Sequence, residues 1–231
     1  MIKRLKGFIL IPFMLTFLAS TSVFASEQSG KHEEPVIGEF HTLDSIEGID
    51  LESHMVESER LVQIGEQISR ERVTYVLSGF KNLQQGDSRW KNEIMQTCGS
   101  SIGTAGCCLT SFTMIQRYLG GTDDPAQVNA KMGNDACPFV YKTAATLYDF
   151  DYNYASDASK KRYVDYIKGA INVGAPVLVG MEKGGGTHFV AAYGYDDNEI
   201  IISDPASRNY TLLSQYTDNG YTVNRLISYG K

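Results

Sequence analysis

The chain is 231 residues long, 42% hydrophobic and 21% charged, with a formal net charge of −6. That is enough apolar material for one domain around a single core. No basic stripe interrupts the acidic balance, which argues against nucleic acid as a partner.

Residues 1–25 read as an address. Lys3, Arg4 and Lys6 precede an apolar run over 8–18, and Val23-Phe24-Ala25 offers small residues for cleavage after Ala25. The run is short for a membrane span and polar residues follow at once, so a cleaved secretory signal is expected and no anchor remains after cleavage. No cysteine lies near the cleavage point, as a lipoprotein would need. The expected location is therefore extracellular, where disulfides form.

Residues 26–72 carry 12 acidic against 4 basic residues, whereas the chain from Val73 onward is nearly balanced, with 15 against 14. Residues 26–54 show no steady apolar period and predict a solvated, mobile acidic leader. Over 55–72, Leu61, Ile64 and Ile68 share one helical face, which predicts an amphipathic helix. It could cover a cleft as a pro-segment or pack on the back of the domain, and both readings stay open.

Residues 73–231 form the expected globular domain, without internal repeat. Small residues at Gly103, Thr104, Ala105 and Gly106 lead into Cys107, and an apolar stretch without Gly or Pro runs on to Gly120-Gly121. This predicts a loop turning into a buried helix at Cys107. Asp123-Asp124-Pro125 starts a second, short helix ending near Gly133. Residues 134–159, rich in Tyr, Asn and Asp, are expected to be irregular, and 160–173 helical. Strands follow over 176–181, 188–195, 199–203 and 221–228. Helices first and strands after predict an α+β domain with an antiparallel sheet.

A thiol at a helix N-terminus faces the positive end of the helix dipole and unpaired backbone N–H groups, both of which favour the thiolate. His188 is the single histidine of the globular part and follows Gly184-Gly185-Gly186-Thr187 at the entrance of a strand. Asp196-Asp197-Asn198 makes a tight turn between two strands, and folding the chain there brings Asp204 to the end of the sheet where His188 stands. An Asp beside a His fixes its tautomer and supports the imidazolium. A Cys at a helix start with a His–Asp pair is the minimum set of a cysteine hydrolase. A zinc site would need the adjacent Cys107 and Cys108 as ligands, an awkward geometry, and no metal or other cofactor is expected. Upstream, Gln85 or its neighbour Gln84 could offer an amide to an oxyanion beside the Cys107 N–H.

The series Gln-x-Asp-x-x-Trp (85–90), Ile-Gly-Thr-Ala-Gly-Cys-x-x-Thr-Ser-x-x-Met (102–114), His-Phe-Val-x-x-Tyr-Gly-Tyr-Asp (188–196) and Ile-x-Asp-Pro (202–205) resembles the stand-alone relatives of the double-glycine-leader (bacteriocin-processing) cysteine peptidases. The resemblance covers about residues 82–204. It implies a papain-like fold, with Cys107 as nucleophile, His188 as general base and acid, Asp204 orienting His188, and Gln85 in the oxyanion hole. Gln85, not Gln84, stands at the family's distance from Asp87 and Trp90. Cys108-Leu109 departs from the Gly-Pro that commonly follows the nucleophile. With Cys107 kept as a thiol, Cys108–Cys137 is the expected disulfide and Cys98 is left over, with Cys98–Cys137 the rival. A secreted monomer that hydrolyses peptide or amide bonds is the expectation, its substrate a peptide or cell-wall peptide. A peptidoglycan amidase or endopeptidase, an acyltransferase and a catalytically silent binding protein of the same fold remain alternatives.

Overall fold

The computed structural model describes residues 50–69, 73–156 and 162–231. The export signal expected over 1–25 and residues 26–49 of the acidic leader lie outside them. The first described element is helix α1 (Leu51–Ile68), followed by a short strand β1 (Thr74–Val76). A two-stranded ribbon, β2 (Ile94–Met95) with β3 (Ser100–Ser101), leads into the one-turn α2 (Ile102–Ala105) and the buried α3 (Cys107–Tyr118). Then come α4 (Pro125–Met132), α5 (Tyr141–Tyr148), β4 (Asp151–Ser156) and α6 (Tyr163–Asn172). The chain ends in β5 (Val177–Lys183), β6 (Gly186–Asp196), β7 (Glu199–Ser203), α7 (Ser214–Thr217) and β8 (Thr222–Gly230).

The main sheet is antiparallel, ordered β1-β6-β5-β8-β4, with β7 on the other side of β6. Side chains alternate across it, so each strand feeds two cores. Leu178, Phe189, Ala191, Ile227 and Tyr229 pack with α3, while Val177, Val179, Val190, Ala192 and Leu226 pack with α6. An α+β domain results, with the Cys107 helix on an antiparallel sheet that carries His188, which is the papain-like arrangement.

The helix predicted over 55–72 begins earlier, at Leu51, because Asp50 caps it: its Oδ1 accepts from the Ser53 N–H. It packs on α6, on the sheet face away from α3. Two glycines permit the contact, since a Cβ on Gly65 would overlap the Asp165 carbonyl and one on Gly169 the Leu61 carbonyl. His54 bonds to Asn153 of β4, which also donates to Ser58, so the start of α1 is stitched to the sheet.

Two expectations need correcting. The stretch 134–159, expected to be irregular, holds α5 and the edge strand β4 within its described part, 134–156. Asn153 is buried in β4, satisfied by His54, Ser58 and Tyr166, and this polar residue at a core position masks the strand's alternation. The disulfide is Cys98–Cys137, with Cα atoms 5.6 Å apart, and not Cys108–Cys137. Cys98 sits in the β2–β3 turn, which Thr97 Oγ1 ties to the Asn134 carbonyl at 2.9 Å, three residues short of Cys137. Cys108 instead is buried in the first turn of α3, in the same core as Tyr229.

A cross-link over a sequence separation of 39 stabilises chiefly by restricting the unfolded chain, by about 4 kcal/mol. Replacing Cys98 and Cys137 together by Ala should lower the unfolding free energy by about that amount in a denaturant titration. Non-reducing peptide mapping should return the Cys98–Cys137 peptide, and a Cys108–Cys137 peptide would reverse the assignment.

Candidate active site

Cys107 opens α3 directly behind Gly106, and a Cβ on Gly106 would stand 2.5 Å from the Ile102 carbonyl oxygen. Glycine is therefore what lets α2 run straight into α3. No side chain caps the start of α3, so its first-turn N–H groups are not taken up by a capping residue. β7 pairs with β6 only from Ala191 onward, so among the described residues no strand lies on that side of His188 and Phe189. The helix fills the gap: Ser111 Oγ donates to the Phe189 carbonyl at 3.2 Å. Ser111 lies one turn beyond Cys107 on the same face of α3, so this bond sets Cys107 against His188.

His188 and Asp204 are both fully buried, and Nε2 of the ring meets Asp204 Oδ1 at 3.0 Å. The hairpin predicted from Asp196-Asp197-Asn198 delivers Asp204 here, with Ala191 opposite Ser203 in the register. Nε2 being committed, the thiol of Cys107 is left with Nδ1, which makes no conventional hydrogen bond. Burial is the largest influence on the ring and disfavours its charge. Hydrogen bonding and charge from Asp204 and Cys107 outweigh burial, and the His188 pKa is raised to about 9. Asp204 accepts two further bonds, from the Ala206 N–H at 2.8 Å on Oδ1 and from the Tyr216 hydroxyl on Oδ2. Tyr216 also lays its ring 5.3 Å from that of His188, and burial followed by the Asp204 charge drives its own pKa far upward.

Gln85 is buried, and its Nε2 donates to the Gly103 carbonyl at 3.0 Å, in the loop that leads to Cys107. One N–H of that amide is thus used for anchoring and one is left over, while Oε1 is buried without a partner. Gln84 takes a different position: its Nε2 donates to the Asp204 carbonyl at 2.7 Å, and its own carbonyl accepts from the Trp90 indole at 2.8 Å. The Gln85 N–H donates to the Pro205 carbonyl. Segments 82–90, 103–107 and 188–205, remote in sequence, are thereby held in one place.

Cys107, His188, Asp204 and Gln85 are all brought together. Tyr216 was not foreseen, and nothing marks it among 14 tyrosines. Met114, the last residue of the 102–114 motif, has a role that the motif does not reveal: its Sδ accepts from both Ser203 Oγ and the Leu83 N–H, joining α3 to two site-bearing segments. Among the described residues no three His, Cys, Asp or Glu side chains converge as a metal site.

The sequence profile of the Peptidase C39-like family matches residues 79–224, a span that contains all four residues and more than half of the chain. The chain belongs to the Peptidase C39-like family. A solved structure from Bacillus anthracis, described as a C39-like peptidase, is similar to this C39-like chain at 17% identity with a TM-score of 0.43. The similarity covers 69% of this chain and 98% of that one. No curated protein matches the sequence.

Because the folded His188 pKa lies above the unfolded value near 6.5, its contribution to stability is complete below pH 6.5 and disappears as pH rises through about 9. NMR titration of the His188 ring should give a midpoint near 9. Asp204→Asn removes that charge and leaves burial opposed by Cys107 alone, so the midpoint should fall.

Proposed function

We propose that this C39-like chain is a secreted cysteine peptidase, a stand-alone hydrolase acting on peptide or amide bonds. The observation that carries the reading is the buried imidazole of His188, held at Nε2 by Asp204 and offering Nδ1 to a thiol at a helix N-terminus. Lys3, Arg4, Lys6 and the apolar run behind them support export.

In this reading His188 takes the Cys107 proton, and Sγ attacks the substrate carbonyl carbon. The oxyanion that forms accepts from the unused Gln85 Nε2–H and from the Cys107 N–H. The His188 imidazolium then protonates the departing amine, the C–N bond breaks, and an S-acyl enzyme remains. A water, deprotonated by the same ring, adds to the acyl carbon and releases the carboxylic acid and the Cys107 thiolate. Asp204 stabilises the imidazolium in both halves, and burial keeps bulk water from weakening that interaction.

A thiol-directed acylating probe followed by mass spectrometry of the labelled peptide should find Cys107 and not Cys108. Cys107→Ala should abolish hydrolysis, and His188→Ala should cost nearly as much, since members of one catalytic unit fail together. Gln85→Ala should lower kcat by roughly 10²–10³-fold and Asp204→Asn by less than His188→Ala. Unchanged turnover by Cys107→Ala would sink the reading.

The acidic leader is proposed as a tether. Since α1 packs away from α3, deletion of residues 26–49 should leave the rate of Cys107 labelling unchanged at low and high salt. Labelling that accelerates on deletion, more at low salt than at high, would make the leader inhibitory.

A further inference from the structure

A surface groove of about 320 Å³ opens beside the site, lined by Asn82, Leu83, Gln84, Asp87, Arg89 and Arg208. Its two walls are the segments that carry the site: Gln84 precedes Gln85, and Arg208 follows Asp204 by four residues. Two backbone-directed bonds clamp them together, Gln84 Nε2 to the Asp204 carbonyl and the Gln85 N–H to the Pro205 carbonyl. The groove is therefore built from the same clamp that positions Asp204.

The charges along the groove are not equivalent. Arg89 is taken: it makes a bidentate pair with Asp87, at 3.0 and 2.8 Å, and its guanidinium lies over Trp90 at 4.4 Å. Hydrogen bonds from Arg89 hold the Asp87 carboxyl down to about 2, so that pair stays ionised and closed at any ordinary pH. Arg208 is exposed and makes no hydrogen bond or ion pair among the described residues; it only senses Asp87 through space. The groove thus holds one uncommitted guanidinium and a net positive charge, in a chain whose net charge is −6. A fixed positive charge in a groove that holds substrate favours an anionic substrate group over its neutral isostere.

We propose that this groove, joined to Asp204 through Gln84, is a specificity subsite in which Arg208 receives a carboxylate of the substrate peptide. The assignment rests on the peptidase reading. Arg208 acts on selection and not on the chemistry, because it meets neither His188 nor Asp204. The carboxylate comes either from a Glu or Asp side chain or from a free C-terminus, and the two sources are separable.

The test uses peptides with Glu or Gln at each position in turn, each made with a free-acid and an amide C-terminus. kcat/KM is measured for the full chain and for Arg208→Gln and Arg208→Glu. At one position the wild type should prefer Glu to Gln by about 5- to 10-fold, with the preference shrinking at high salt. Arg208→Gln should remove the preference and Arg208→Glu should invert it, while turnover of the Gln peptide stays unchanged. If the C-terminal carboxylate is the ligand, the same pattern appears between acid and amide forms instead. Equal losses on charged and neutral peptides, or no response to Arg208→Glu, would overturn the assignment. A parallel arm measures fluorescence anisotropy of the same labelled peptides on Cys107→Ala and on Cys107→Ala/Arg208→Glu. If the wild type cleaves nothing, the peptidase reading fails, yet the subsite still stands or falls on that arm. Charge-selective binding that vanishes with Arg208→Glu supports it, and absent or charge-blind binding overturns it.

Discussion

A carboxylate with no exposure must be hydrogen-bonded on every side, or its burial costs several kcal/mol. Asp204 meets that demand with donors from three places: His188 on β6, the Ala206 N–H in the turn after β7, and the Tyr216 hydroxyl on α7. Much of the C-terminal half is arranged to satisfy this one charge. The turn must bend back at Pro205 to present Ala206. The chain must then run on to α7 to present Tyr216, whose ring is itself held between Tyr210 and Tyr221. A consequence for chemistry follows directly. With both carboxylate oxygens occupied, Asp204 has no freedom to rotate away from His188, and the ring keeps one orientation.

The second constraint is a strand that stops short. β7 covers β6 only beyond Ala191, and a bare edge at His188 and Phe189 would expose unpaired backbone. α3 closes that edge through Ser111, and Met114 further along the helix accepts from Ser203 and Leu83. The helix is thus fixed along its length by the residues that surround the His–Asp pair. Moving Cys107 relative to His188 would require breaking several buried bonds at once, so the thiol and the ring form a rigid unit and not two groups that meet by chance.

Legibility in the sequence tracked how local each signal was. The Gly-rich approach to Cys107, the Asp124-Pro125 start of α4 and the Asp196-Asp197-Asn198 turn all act within a few residues, and each was readable. The hairpin then gave Asp204 its place by simple register. Tyr216 acts from α7 across an irregular connection, and its role exists only because Asp204 is buried, which no local pattern reveals. The disulfide failed for a related reason. Cys108 looked like the thiol in need of a partner, but adjacent residues on a helix point about 100° apart, and its direction is inward, toward Tyr229. The pairing of Cys98 with Cys137 depends on Thr97 reaching Asn134, a contact between two loops. β4 was hidden by Asn153, a polar residue buried only because α1 and Tyr166 supply its partners.

Gln84 and Gln85 show how one short segment can serve the fold and the site together. Their backbone and side chains reach the Asp204 carbonyl, the Pro205 carbonyl, the Gly103 carbonyl and the Trp90 indole. Consecutive side chains diverge, so Gln84 turns toward Asp204 and Gln85 toward the loop before Cys107. The pair therefore spans the gap between the nucleophile's half and the imidazole's half. A dry pair of opposite charges gains from low dielectric only while its geometry is held. Here it is held by a helix and by two side-chain amides. That double support is what allows His188 to be fully buried and still strongly basic, a combination that burial alone would forbid.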